Sequence, residues 1–167
     1  MPGYLRRNLS GLISLSAACF GQFLLELTLG RVFVAPNLVS IVLVYLMINR
    51  GKFWEVDGAF WAGILLDGLL RTPPGSSSLA LMIAMKAGGA MLSSLSIENR
   101  AVFFLTIGIV SLVSDLLTLV LSSRPFLMFF DWSWAVVLPR SLLTVSVAGI
   151  WVLLAGGAAR RGSETGA

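Results

Sequence analysis

The chain has 167 residues, no histidine and a single cysteine, Cys19. One cysteine cannot form a disulfide within the chain, so no covalent link between segments stabilises the fold. Without histidine and with one thiol, the usual ligands of a transition-metal site are missing. Charged residues make up only 12% of the sequence, against about a quarter in ordinary soluble domains. These absences predict a protein with no metal site and no cofactor, and they disfavour a soluble class.

Sequence patterns typical of enzymes are also missing. The chain contains no glycine-rich phosphate loop, and no candidate nucleophile has a general base at a characteristic spacing. We therefore predict that the protein is not an enzyme and has no catalytic residues. The formal charge is +4, but the twelve basic residues stand singly or in pairs. No basic stripe is present, so we expect no nucleic-acid partner.

Long apolar runs dominate the sequence, which is 57% hydrophobic with a mean hydropathy of +0.91. Backbone groups in lipid must form their hydrogen bonds within the segment, so each apolar run predicts a helix. The expected fold is all-α: one polytopic transmembrane domain over residues 1–167, forming a six-helix bundle that crosses the membrane. The predicted helices span residues 8–29, 36–49, 53–70, 76–95, 101–122 and 133–156.

The distribution of Lys and Arg predicts the orientation of this bundle. With the N-terminus in the cytoplasm, seven basic residues fall on the inner side and three on the outer side. The positive-inside rule then places both chain ends in the cytoplasm. Arg6 and Arg7 resemble the start of a signal peptide, but the apolar run after them is too long for one, so we expect an uncleaved first helix. A re-entrant pair between residues 36 and 70 is the alternative to two short spans.

Five ionisable residues lie inside the apolar runs: Glu26, Asp67, Lys86, Asp115 and Arg140. A charge at the centre of a membrane helix costs about 2.5–3.5 kcal/mol on insertion scales, so each needs a partner, a wet cavity or a function. We predict that they pair in a buried network, with Lys86 or Arg140 as the partner of Asp115. Two alternatives are snorkelling of Glu26 and Asp67 to the interface and a proton relay.

Small and aromatic residues indicate packing surfaces. Ser76, Ala80, Ala84 and Gly88 recur every four residues, which predicts close helix packing and a central position for the fourth helix. Docking of an external partner helix is the alternative. The aromatic segment 124–134 (RPFLMFFDWSW) predicts either an interfacial belt or a docking surface for a partner at the outer face.

Residues 36 to 75 contain a recognisable arrangement. Pro36 leads an apolar helix, and a short basic turn follows. The stretch GAFWAGILLD then ends at Asp67, and Pro74-Gly75 come after it. This region resembles the rod shape-determining protein MreD family, whose central part has a proline-led helix, a G-F-x-x-G-L-L-x-D type stretch and a following glycine. The residues of this chain that match the motif are Pro36, Gly58, Phe60, Gly63, Asp67 and Gly75.

The resemblance implies a non-enzymatic scaffold of the bacterial elongation machinery in the cytoplasmic (inner) membrane. Such a protein binds MreC, lies beside RodA, a class B penicillin-binding protein and MreB, and supports lateral peptidoglycan synthesis and rod cell shape. For this chain we expect the glycines to permit tight packing of the third helix. We expect Asp67 to anchor the outer end of that helix to a cation, with Arg140, Lys86 or Arg71 as candidates.

Membership would also imply a fold similar to the substrate-binding subunits of energy-coupling-factor vitamin transporters. Such a subunit is the alternative function, and an ion or proton channel is a weaker third hypothesis. A vitamin-binding subunit needs an outward pocket lined by aromatic and polar groups. A scaffold instead predicts that the charges in the outer half pair with each other and leave no ligand-sized space.

Overall fold

The computed structural model describes residues 2–28, 34–51, 53–94, 100–121 and 136–152, with side chains from residue 9 in the first helix and from residue 101 in the fifth. Within these ranges the chain forms six helices and no strand, so the predicted all-helical class is confirmed. The aromatic segment 124–134 and the predicted start of the sixth helix lie outside the described residues. The helices are α1 (Pro2–Thr28), α2 (Leu38–Arg50), α3 (Phe53–Leu70), α4 (Ser76–Ser94), α5 (Arg100–Leu121) and α6 (Val136–Val152).

The start of α2 differs slightly from the prediction. Pro36 is buried in an irregular segment, residues 34–37, that precedes the helix. Asn37 caps α2, because its side-chain oxygen accepts a hydrogen bond from the Ser40 backbone N–H at 3.1 Å. The helix ends at Gly51, whose φ of +96° is a conformation that favours glycine.

Helices α3 and α4 form a hairpin whose backbones touch. A Cβ atom added to Gly63 would lie 2.1 Å from the Ser78 Cα atom, so only glycine allows this crossing. The Ser78 hydroxyl also donates to the Phe60 carbonyl oxygen at 3.2 Å. Gly75 closes the turn with a φ of +87°, where an L side chain is strained. Gly63 and Ser78 therefore determine how closely α3 and α4 approach each other, and Gly75 allows the turn between them.

Helix α4 packs between α3 and α5 and also contacts α2. The four small residues that predicted close packing, Ser76, Ala80, Ala84 and Gly88, are all buried. A Cβ atom on Gly88 would lie 2.6 Å from a methyl carbon of Val110 on α5. This row is therefore used for packing inside the bundle, not for an external helix.

The core is centred on α2, which packs against α1, α3, α4 and α5. Its Leu43 and Leu46 side chains are almost completely buried. At one end of the core the fully buried Trp54 indole of α3 lies against Gly11 of α1 and Gly58 of its own helix. Since a Cβ atom at either glycine would come within 2.7 Å of the indole, the two glycines create the space for this ring.

Two of the described helical segments are long and apolar enough to cross a membrane. They are Leu9–Thr28 and Ala101–Leu121, with mean hydropathies of 1.4 and 2.2. Only 28% of each segment is buried, whereas the core helix of a soluble protein is mostly buried. Helices α2 and α6 are apolar but shorter.

Candidate functional site

Three of the five predicted intramembrane charges meet in one place. The Arg140 Nη2 atom of α6 lies 2.6 Å from Glu26 Oε1 of α1, and its Nε atom lies 3.5 Å from Asp115 Oδ2 of α5. About a quarter of the Arg140 and Glu26 side chains remains exposed, against a tenth of Asp115. One guanidinium thus connects two carboxylates from two other helices.

Neutral side chains complete the surroundings of both carboxylates. Gln22 donates to Glu26 Oε1 at 2.9 Å, Asn37 donates to Asp115 Oδ1 at 3.2 Å, and Ser111 donates to Asp115 Oδ2 at 3.3 Å. Gln22, Asn37 and Ser111 are all buried. We call this set the Arg140 cluster. Its members are Gln22, Glu26, Asn37, Ser111, Ser114, Asp115, Arg140 and Thr144.

The Arg140 cluster also satisfies the backbone at the start of α2. The Asn37 N–H donates to Thr144 Oγ1 at 2.8 Å, and the Leu38 N–H donates to Gln22 Oε1 at 2.8 Å. Thr144 in turn donates to the Arg140 carbonyl oxygen at 2.7 Å. The first N–H groups of a helix have no partner within it, and in an apolar surrounding they need side-chain acceptors. The cluster is therefore an anchor between α1, α2, α5 and α6.

Asp67 has a different environment from the one expected. Its Oδ1 atom accepts from the Thr72 hydroxyl at 2.7 Å and the Ser77 N–H at 3.0 Å, and its Oδ2 atom accepts from the Gly75 N–H at 2.7 Å. The Ser76 hydroxyl is a further donor to Oδ1, at 3.4 Å. A carboxylate of α3 thus caps the N-terminus of α4 and fixes the turn between the two helices.

The predicted cation partner of Asp67 was wrong for the described residues. Neither Arg140, Lys86 nor Arg71 pairs with it there, and all its described donors are neutral. The physical reason is the hairpin, which brings the positive end of the α4 dipole and its unpaired N–H groups directly to the carboxylate. The helix end takes the place of the expected countercharge.

Lys86 also lies away from Asp115. Its Nζ atom is 3.1 Å from Glu55 Oε1 on α3, and 64% of the side chain is exposed. The antiparallel hairpin places the start of α3 beside the second half of α4. Gly89 makes room for the contact, because a Cβ atom there would lie 2.9 Å from the Glu55 carboxylate. Glu55 was not predicted as a site residue, since a single sequence does not show which helix faces meet.

Of the residues that match the motif, Gly58, Phe60, Gly63 and Asp67 lie on α3, Gly75 lies in the turn before α4, and Pro36 lies just before α2. Gly58 is buried against Trp54 and Leu43, and Gly63 contacts Ser78. The Phe60 ring is 41% exposed, while its carbonyl oxygen is held by Ser78. In this structure the motif residues from Gly58 to Gly75 therefore belong to the α3–α4 hairpin and its turn.

A shallow depression lies beside Asp67, with a volume of about 240 Å³. Pockets that hold small molecules have volumes of roughly 300–1,000 Å³. The oxygens of Asp67 are already occupied by four donors. Within the described ranges, no three side chains of the types that bind metals come together. The depression is lined by Ile64, Asp67, Gly68, Thr72, Pro74 and Gly75.

Comparisons of the chain with protein-family models, with curated proteins and with solved structures found no match.

Proposed function

We propose that the protein is a non-enzymatic membrane scaffold of the bacterial elongation machinery, of the MreD type. In this proposal its six helices cross the cytoplasmic membrane with both termini inside. The scaffold binds MreC, lies beside RodA, a class B penicillin-binding protein and MreB, and supports lateral peptidoglycan synthesis and rod cell shape.

The distribution of polar and apolar side chains supports a membrane bundle. Large apolar side chains are exposed on every helix, including Ile13, Trp61 and Leu142. The interior contains buried polar residues such as Gln22, Asn37 and Thr144. A soluble domain buries most of its large apolar side chains, whereas a bundle in lipid exposes them and packs with small and polar groups. This arrangement favours membrane crossing by helices beyond the two that are long and apolar enough by themselves.

The observation that carries the scaffold proposal is that the three charged residues of the Arg140 cluster pair within the cluster. Arg140 forms ion pairs with both Glu26 and Asp115, and Gln22, Asn37 and Ser111 donate hydrogen bonds to the two carboxylates. A ligand-binding site instead presents a few unpaired polar groups to a pocket. The motif residues likewise contact the protein itself. Both features favour a structural and partner-binding role.

Co-purification after mild solubilisation from the native membrane tests the proposal. A tagged copy expressed at its natural level is expected to retain MreC and wall-synthesis enzymes. Depletion of the protein in a rod-shaped host is expected to produce round cells that incorporate less peptidoglycan along their sides. An unrelated six-helix membrane protein with the same tag is the control.

Retention of an ATPase pair with a bound vitamin would overturn the scaffold proposal in favour of the transporter subunit. Flux of ions or protons through liposomes that contain the purified protein would overturn it in favour of a channel. Normal rods after complete depletion would contradict the role in cell shape.

A further inference from the structure

Trp54, the second residue of α3, has a buried polar atom without a partner. Its side chain is 0% exposed, and its indole Nε1–H finds no hydrogen-bond acceptor among the residues that the structure describes. A buried tryptophan usually places this N–H against an acceptor, because a buried donor without one costs free energy. The indole N–H therefore needs an acceptor from outside the described residues.

The neighbours of the ring show which way this N–H faces. The indole edge formed by Cε3 and Cδ2 lies towards Gly58, at 2.7 and 3.5 Å from the position of an added Cβ atom. The opposite edge carries Nε1 and Cζ2, and its Cζ2 atom lies against Gly11 of α1. The Arg50 Nη1 atom, at the end of α2, lies 2.8 Å from the Cβ position of the same Gly11. The edge that bears the N–H therefore adjoins the Arg50 guanidinium beside Gly11.

The groups that meet beside Gly11 are donors. A guanidinium has five N–H donors and no acceptor, and an indole has one donor and no acceptor. Arg50 and Trp54 therefore cannot bond each other, and a shared partner must be a third group that accepts. An anion is the strongest such acceptor next to a guanidinium. Arg6 and Arg7 come about one turn before Gly11 on α1 and add positive charge at this end of the bundle.

The start of α3 also favours an anion. The first N–H groups of a helix lack partners within it, and the helix dipole places partial positive charge there. The residue before the helix is Lys52, whose side chain contains no acceptor for these groups. The first-turn carboxylate of Glu55 is paired with Lys86. The exposed acid Asp57 is outnumbered at this end of the sequence by four basic residues: Arg6, Arg7, Arg50 and Lys52.

We propose that Arg50, the Trp54 indole N–H and the start of α3 bind the phosphate group of an anionic membrane lipid. In the proposed topology this end faces the cytoplasmic leaflet, which carries anionic phospholipids. One phosphate offers several charged acceptor oxygens, so it can accept from both side chains at once. The exposed apolar side chains of α1, such as Leu9 and Ile13, provide a surface for the acyl chains. This inference goes beyond the scaffold function and uses only its topology.

NMR of the indole N–H groups in the full-length protein tests this site. The protein is purified in a maltoside detergent, which carries no phosphate, and its five tryptophans are labelled with nitrogen-15. The signal that disappears in Trp54→Phe belongs to Trp54. We expect short-chain phosphatidylglycerol to shift this signal, whereas diacylglycerol with the same chains leaves it in place. Trp61→Phe is the control, since Trp61 is an exposed tryptophan of the same helix.

Arg50→Gln is expected to weaken binding of phosphatidylglycerol about tenfold, because one hydrogen bond to a charged group contributes affinity of this order. Native mass spectrometry of the bound lipid measures the change. Arg71→Gln is the matched control, since Arg71 is an exposed arginine at the other end of α3. If Trp54→Phe fails to fold, this comparison decides: a loss confined to Arg50→Gln supports the site, and equal binding by both variants overturns it.

Inorganic phosphate, added in place of the lipid, separates the two sources of this chemistry. A shift of the Trp54 signal by phosphatidylglycerol alone assigns the site to a lipid headgroup. A shift by both supports a phosphate site that is open to either source. No shift by either would overturn the proposal, and so would an equal shift by diacylglycerol. Retention of MreC plays no part in these measurements, so failure of the site is distinguishable from failure of the proposed function.

Discussion

At the scale of single residues, Asp67 shows how a helix end can take the place of a countercharge. Its two oxygens receive hydrogen bonds from Thr72, Gly75, Ser76 and Ser77, all of which follow it in the chain. Each hydrogen bond to an ionised group is stronger than one between neutral groups, because charge increases the attraction. The carboxylate thus links the end of one helix to the start of the next.

We expect Asp67→Ala to destabilise the protein by about 1–3 kcal/mol, because the N–H groups of Gly75 and Ser77 lose their acceptor. Thermal unfolding in detergent, followed by circular dichroism, measures the change, and retention of MreC is expected to fall with it. Asp57→Ala is the matched control, since Asp57 is an exposed acid on the same helix. Unfolding and MreC retention equal to those of the wild type would show that the cap is dispensable.

The pairing of Arg140 with Asp115 predicts a specific rescue. Charge reversal at Asp115 leaves like charges facing each other and is expected to lower stability by about 3 kcal/mol. The exchange Asp115→Arg/Arg140→Asp is expected to recover part of this loss, because opposite charges face each other again. Asp115→Lys with Lys86→Asp is expected to recover none, since Lys86 pairs with Glu55. Equal recovery in both combinations, measured by thermal unfolding, would contradict the observed pairing.

Residue chemistry allowed part of these contacts to be predicted. Glu26, Asp115 and Arg140 were expected to pair because charges in apolar runs need partners, and they meet. The partners of Lys86 and Asp67 depend on the rotation of each helix and on the path of the turn. A single sequence contains neither, so Glu55 and the backbone donors of α4 could not be identified in advance.

At the scale of elements, the α3–α4 hairpin is the most tightly defined unit. The contact between Gly63 and Ser78 leaves no space for a side chain. Periodicity and breaker residues predicted the bounds of α3 as 53–70, which the structure reproduces, because a charged turn and a Pro-Pro-Gly turn enclose the helix. The start of α2 was predicted less well, since its cap depends on Asn37.

The hairpin contact predicts opposite effects of two glycine substitutions on one helix. Gly63→Ala is expected to destabilise the protein by about 3 kcal/mol, because the helices must separate. Gly68→Ala is the matched control, since no atom lies within 4 Å of its added Cβ atom. Alanine there is expected to be neutral or to stabilise by about 1 kcal/mol through helix propensity. Equal melting temperatures for the two variants would refute the close crossing.

At the scale of the whole molecule, the proposed topology places the α3–α4 turn outside and the α2–α3 turn inside. An impermeant maleimide is expected to label Arg71→Cys in intact cells and Asn49→Cys only after permeabilisation. Both positions are exposed, and the natural Cys19 is buried. Labelling of both positions from the same side would contradict six crossings and favour a re-entrant pair.

The hairpin contact also has a consequence for biosynthesis. Helix α3 contains Glu55, Asp57 and Asp67, and the groups that bind two of these carboxylates come from residues synthesised later. In the proposed membrane topology, a nascent chain that stops at the turn would therefore present uncompensated acids to the translocon. We expect α3 to wait there until α4 has emerged, so that the two helices enter the lipid together.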